Sequence, residues 1–174
     1  MPTQWIGAEV FSDLRGALGL VRCRGCTLVF TNPRPAADRL NTFYSGDTYS
    51  CHEETGSASA GTKGALVLKR IIAHARADAP RTLLDCGAGG GAFLRDARDR
   101  GWTVRGFEPG RRGLESCLRA GLPVTDKLDE IADGTFGVVT LHHVFEHLVD
   151  PVGVLNGITR FLAPGGQVYI EVRP

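Results

Sequence analysis

From Lys63 onward the apolar positions switch repeatedly between two periods, one suited to helices and one to strands. Leu68, Ile71, Ile72 and Ala75 recur at helical spacing and predict a first helix. Arg81-Thr82-Leu83-Leu84-Asp85 reads as a short apolar strand that ends in an acid and then in glycines. Ala92 to Arg100 is helical, with Phe93, Leu94 and Ala97 on one face and Gly101 as its stop. Thr103 to Glu108 is the next strand, and Arg111 to Ala120 a helix with Leu114, Cys117 and Leu118 facing inward. A brief strand at Pro123-Val124-Thr125, a short helix at Asp126–Ala132 and the apolar strand Gly137–Leu141 follow. Val154, Leu155, Ile158, Phe161 and Leu162 mark a last helix, Pro164-Gly165-Gly166 a turn, and Gln167–Val172 the last strand.

Strands alternating with helices at this spacing require right-handed crossovers and a mainly parallel sheet covered on both faces. The expected fold class is therefore α/β, doubly wound. Residues 1–62 differ in texture. Short β-like pieces, Gly19-Leu20-Val21-Arg22 and Thr27-Leu28-Val29-Phe30, alternate with Gly, Pro and Asn signals, and Ser57–Thr62 reads as a linker or mobile loop. The expected organisation is a small β-rich appendage over 1–62 and an α/β domain over 63–174.

Composition narrows the function classes. A formal net charge of +1 gives no overall field for a polyanion, so neither nucleic acid nor an anionic membrane is expected as partner. No apolar run approaches the roughly 20 residues of a membrane helix, and the first residues lack a signal-peptide pattern. Five cysteines, an odd number, make poor material for a disulfide framework and fit a reducing, cytoplasmic compartment.

Candidate chemistry gathers where the predicted strands end. In such sheets ligands bind beyond the carboxyl ends of the strands, where strand order reverses. Asp85, Glu108 and Asp126 fall at or just beyond three strand ends, and Gly87-Ala88-Gly89-Gly90-Gly91 joins the first strand to its helix. Glycines there let the backbone approach a ligand closely and expose helix N-terminal amides. Gly87-x-Gly89-x-x-Ala92 with Glu108 also satisfies a dinucleotide fingerprint, so a nicotinamide-dependent oxidoreductase is one reading. Asp85 argues against it, because an acid two residues before the first glycine suits a cationic ligand better than a pyrophosphate.

Four segments occur in the order and spacing of one family: Leu83-Leu84-Asp85-x-Gly87-x-Gly89-x-Gly91, Gly106-Phe107-Glu108-Pro109, the run Val138–Pro151 and Leu162-Ala163-Pro164-Gly165-Gly166. Together they resemble the class I S-adenosylmethionine-dependent methyltransferases, of Rossmann-like fold, and in particular their small-molecule, ubiquinone-pathway branch. The resemblance implies that Asp85, Gly87, Ala88, Gly89 and Gly91 hold the methionine moiety of S-adenosylmethionine. It implies Glu108, between Phe107 and Pro109, on the ribose hydroxyls, and Asp126, Lys127 and Leu128 around the adenine. Leu141 and His142 would complete the cofactor site, and the partner would be a small-molecule acceptor. Asp126 reads equally well as a helix N-cap. Where the family has an acid after the aromatic at Phe136, this chain has Gly137, from which lower stability is expected.

His142, His143, Glu146 and His147 follow the fourth strand of this domain, beside the expected methyl donor. A helix starting near Val144 would put His143 and His147 four apart on one face with Glu146 adjacent. That arrangement suits a base, with His143 as the candidate, a local hydrogen-bond network around Glu146 and His147, or a metal. Cys23-Arg24-Gly25-Cys26 looks like one knuckle of a zinc ribbon and supplies two of four ligands, with Cys51 and His52 as further candidates. The class I fold normally adds a strand hairpin after Val172. The sequence stops at Pro174, so a fragment or a naturally reduced protein is expected. Without the hairpin an edge strand would invite a homodimer, and a reduced protein would bind the cofactor without turnover.

Overall fold

The computed structural model describes residues 3–11, 16–36, 38–40 and 58–172, which fall into two compact units, Met1–Gly46 and Asp47–Pro174. Cys51 and His52 lie outside the described residues. In the first unit, β1 (Thr3–Phe11), β2 (Gly16–Cys23) and β3 (Val29–Thr31) form an antiparallel sheet in that order. The β-like pieces expected from the sequence are thus strands, joined by the Cys23–Thr27 turn. Cys23 N–H donates to Leu28 O at 2.8 Å and Thr27 N–H to Cys23 O at 2.9 Å.

The first described element of the second unit is α1 (Ala58–His74). Ser57–Thr62, read as a linker, is helical from Ala58. Its Ser and Gly suggested a linker, but the alanines and the apolar face that follows carry the helix back to Ala58. That face is Val67, Leu68 and Ile71, whereas Ile72 points to solvent. Then come β4 (Thr82–Cys86), α2 (Ala92–Asp99), β5 (Thr103–Phe107), α3 (Arg111–Arg119), β6 (Val124–Thr125), β7 (Phe136–His142), α4 (Pro151–Ile158) and β8 (Leu162–Glu171). The sheet order is β6-β5-β4-β7-β8 with every pair parallel. The chain winds outward from β4 through β5 to β6, then returns to lay β7 on the other side of β4. The reversal point is therefore between β4 and β7.

Two apolar layers hold the helices to the sheet. Leu83, Val104, Val124 and Val138 meet Val67, Leu68, Ile71, Leu94, Ala97 and Cys117 on one face. On the other, Leu84, Cys86, Val139 and Leu141 meet Ile158 and Phe161. Adjacent residues Leu83/Leu84 and Val138/Val139 enter opposite layers, as the two-residue period of a strand demands. Such strands must be apolar throughout, which is why they read as runs rather than as alternations. No described helix is long and apolar enough to cross a membrane.

Three local expectations need correction. Leu118 on α3 is exposed, and Gly113 and Cys117 form the buried contact instead, because a nine-residue helix presents only a narrow stripe. The expected helix over 126–132 is a single 3-10 turn, Leu128–Glu130. Thr125 accepts from Lys127 N–H at 3.1 Å and donates to Glu130 at 2.6 Å, fixing a tight turn where a helix would have run on. Residues 162–166 are a distortion inside β8: the register jumps from Phe136↔Leu162 to Val138↔Gln167, and Gly165 takes φ 77°. Gly137 is a requirement of the packing, since a Cβ there would collide with the Pro80 carbonyl.

Candidate functional site

The glycine turn leaves β4 on backbone torsions that favour glycine, with φ 82° at Gly87, 53° at Gly89 and 79° at Gly91. Gly87 and Ala88 N–H both donate to Phe107 O, at 2.8 and 3.1 Å, tying the turn to the end of β5. At Gly87 a Cβ would strike Val144, and at Gly91 it would strike Leu122 and Cys117. At Gly89 it would meet none of the described residues within 4 Å, so among these the backbone faces open space. The same turn thus packs tightly on two sides and stays open at Gly89.

Two acids flank it. Asp85, 2% exposed, accepts a 2.7 Å hydrogen bond from the Thr140 hydroxyl of β7. Burial pushes its carboxyl above the ordinary carboxylate range, opposed by the charge of His142 and by Thr140. Glu108, 9% exposed, accepts from Gly89 N–H at 2.6 Å and from Gly110 N–H at 2.7 Å. Burial raises this carboxyl too, and the two amides oppose the rise. Gly113 makes the arrangement possible: a Cβ on it would lie 2.8 Å from Gly89 O and 2.9 Å from Glu108 Cγ.

The other expected cofactor residues divide by exposure. Pro109, Asp126, Lys127 and Leu128 lie on the surface around the carboxyl ends of β5 and β6. Ala88 and Leu141 are buried in the two core layers, so only their backbone is available to a ligand. Phe107 is half-buried against the second layer. His142 packs its ring on Phe93 at 4.3 Å between centroids and on Tyr169 at 5.6 Å.

Beyond β7 the structure corrects one expectation. His143 and His147 do not share a helix face, because the segment forms a 3-10 turn, Phe145–His147, and His143 sits before it at φ 53°. Non-glycine residues rarely take this conformation, and it redirects the chain before a helix can begin. His143 instead faces two carboxylates, with Nδ1 3.7 Å from Glu146 Oε1 and Nε2 3.8 Å from Glu171 Oε1. Glu171 Oε2 lies 3.8 Å from His142 Nδ1. Among the described residues no three His, Cys, Asp or Glu side chains gather as a metal would require.

Sequence reasoning missed Thr140, Gly113, Glu130 and Glu171. Glu171 carried the very signal that marked Asp85 and Glu108, an acid at the carboxyl end of a parallel strand. Thr140 acts through Asp85, distant in sequence, and Gly113 leaves room for the Gly89 carbonyl as well as for nearby Glu108, so neither left a local sign.

In the first unit, Cys23 is buried at the end of β2 and Cys26 is exposed. The backbone amide of Cys26, then that of Gly25, holds the Cys23 thiol below its ordinary range. Amides turned toward a sulfur favour its thiolate form.

A family model described as a methyltransferase domain matches residues 63–173, nearly the whole α/β unit. The chain belongs to this methyltransferase-domain family. Among curated relatives, the domain is 33% identical over 103 residues to a ubiquinone biosynthesis O-methyltransferase of Pseudomonas paraeruginosa, covering 53% of this chain and 44% of that protein. The corresponding protein of Vibrio parahaemolyticus is 32% identical over 101 residues, 52% of this chain and 43% of its own. The chain therefore spans less than half the length of these relatives. Its fold is that of a putative S-adenosyl-L-methionine-dependent methyltransferase from Methanococcus maripaludis, with TM-score 0.55 and 17% identity over 65% of this chain and 55% of that one. The match confirms the doubly wound sheet of the methyltransferase domain.

Proposed function

We propose that this domain binds S-adenosylmethionine on the 85–91 turn and transfers its methyl group to a small-molecule acceptor. The observation that carries the reading is the pair of buried carboxylates, Asp85 and Glu108, on either side of the glycine turn at the sheet's reversal point. Glu108 suits the ribose of either ligand, whereas Asp85, buried beside the turn, disfavours a pyrophosphate and is better matched by a ligand bearing an ammonium and a sulfonium. When bound, S-adenosylmethionine supplies an electrophilic methyl on positively charged sulfur.

The chain's own residues then bind, orient and accept a proton. Glu108, already held by two amides, keeps lone pairs for both ribose hydroxyls. The exposed 126–128 segment, steadied by the Thr125–Glu130 bond, frames the adenine. The open backbone at Gly89 admits the methionine end. His143, partly exposed after β7, takes the proton of an acceptor hydroxyl as the oxygen attacks. Alignment of acceptor, methyl and sulfur supplies most of the acceleration. The supports for this reading are the family membership and the O-methyltransferase relatives. No step of it passes through zinc at Cys23 and Cys26.

Titration of S-adenosylhomocysteine against the wild-type chain and Glu108→Ala tests it. The variant is expected to bind about 1–3 kcal/mol more weakly through lost hydrogen bonds to ribose. Unchanged affinity would remove Glu108 from the cofactor site.

A further inference from the structure

Glu171, the last residue of β8, lies opposite His142 in the parallel β7–β8 register. Its carbonyl accepts from His143 N–H at 2.8 Å, so its main chain holds His143 in the left-handed conformation. Its side chain reaches both rings. Oε2 accepts from the Tyr169 hydroxyl at 3.3 Å and stands 3.8 Å from His142 Nδ1, while Oε1 stands 3.8 Å from His143 Nε2. One carboxylate, itself aimed by a tyrosine, thus faces a nitrogen on each of two adjacent imidazoles.

We propose that Glu171 is the positioning residue of the histidine pair, orienting the His143 ring toward the acceptor and the His142 ring toward the cofactor turn. The role of His143 rests on the methyl-transfer reading above. The acids facing His143 are Glu146 from its own loop and Glu171 from β8. Those acting on His142 are Glu171 and the buried Asp85. Glu171 is the member common to both. Its side chain and that of His143 are each more than one-third exposed, so solvent screens the pair and its contribution to stability is small. Orientation is what it supplies. His143 Nδ1 faces Glu146 and Nε2 faces Glu171, so removing Glu171 takes away the carboxylate that faces the Nε2 side of the ring.

Nitrogen-15 spectra of the imidazoles in the full chain test this. In Glu171→Gln the ring signals of both His142 and His143 are expected to move, while His74, bonded to Arg70 O on α1, stays in place. Glu171→Asp, which keeps the charge, is expected to bring both back toward their wild-type positions. If Glu171→Gln does not fold, Tyr169→Phe removes only the hydroxyl that aims the carboxylate, and the same two rings must respond. Movement of neither ring, or of one alone, would overturn the proposal. Titration of the wild type with S-adenosylhomocysteine judges the cofactor reading separately. No binding there, with paired ring shifts in Glu171→Gln, would sink that reading and leave only the orienting of the two rings by Glu171 standing.

Discussion

Gly113 shows how much a missing side chain can decide. Its hydrogen leaves room for the Gly89 carbonyl and the Glu108 side chain together, and a methyl group would press on both. Gly113→Ala is therefore expected to weaken S-adenosylhomocysteine binding, with a strain of about 1–3 kcal/mol shared between the turn and Glu108. Unaltered affinity by calorimetry would show that Glu108 moves aside freely. Asp85 makes a pH prediction. Its folded carboxyl titrates above its ordinary value of 3.8, so between the two values the folded chain keeps a proton that the unfolded chain releases. This group's contribution is full below the ordinary value and falls as pH rises through the raised one. Relative to wild type, Asp85→Asn should lose less stability over that rise in denaturant melts. Parallel pH profiles would contradict the burial argument.

At the scale of elements, the start of β7 rests on two devices. Thr82 Oγ1 donates to Thr135 O at 2.8 Å and accepts from Gly137 N–H at 2.9 Å, bridging β4 to β7 below the site. Gly137 gives the Pro80 carbonyl its space. Restoring the acid by Gly137→Asp is thus expected to cost about 1–3 kcal/mol through overpacking, measurable as a lower denaturation midpoint. A raised midpoint would mean that Pro80 yields and the acid finds a partner. This reverses the sequence-based expectation and shows where its limits lie. Strand runs such as Leu83–Asp85 and Val138–Leu141 were legible because burial on both faces forces continuous apolar character. The 3-10 turns at 128–130 and 145–147 were not, since single side-chain bonds such as Thr125 to Glu130 and the backbone torsion of His143 decide them.

For the whole molecule, the order β6-β5-β4-β7-β8 puts the carboxyl ends of five parallel strands on one rim, and the acids Asp85, Glu108 and Glu171 stand on it. Two of the three were legible as acids after apolar runs. The third needed the last strand read by the same rule. What only the fold reveals is the pairing across the rim: Thr140 with Asp85, Gly113 beneath Glu108, and Glu171 between two histidines. The central claim is that this rim takes a nucleoside carrying an amino-acid ammonium group rather than a dinucleotide. Calorimetric titration of one preparation with S-adenosylhomocysteine and with NAD tests it most directly. Saturable one-to-one binding of the homocysteine analogue, with no heat from NAD, is the predicted result. Tight NAD binding with no response to the analogue would contradict it.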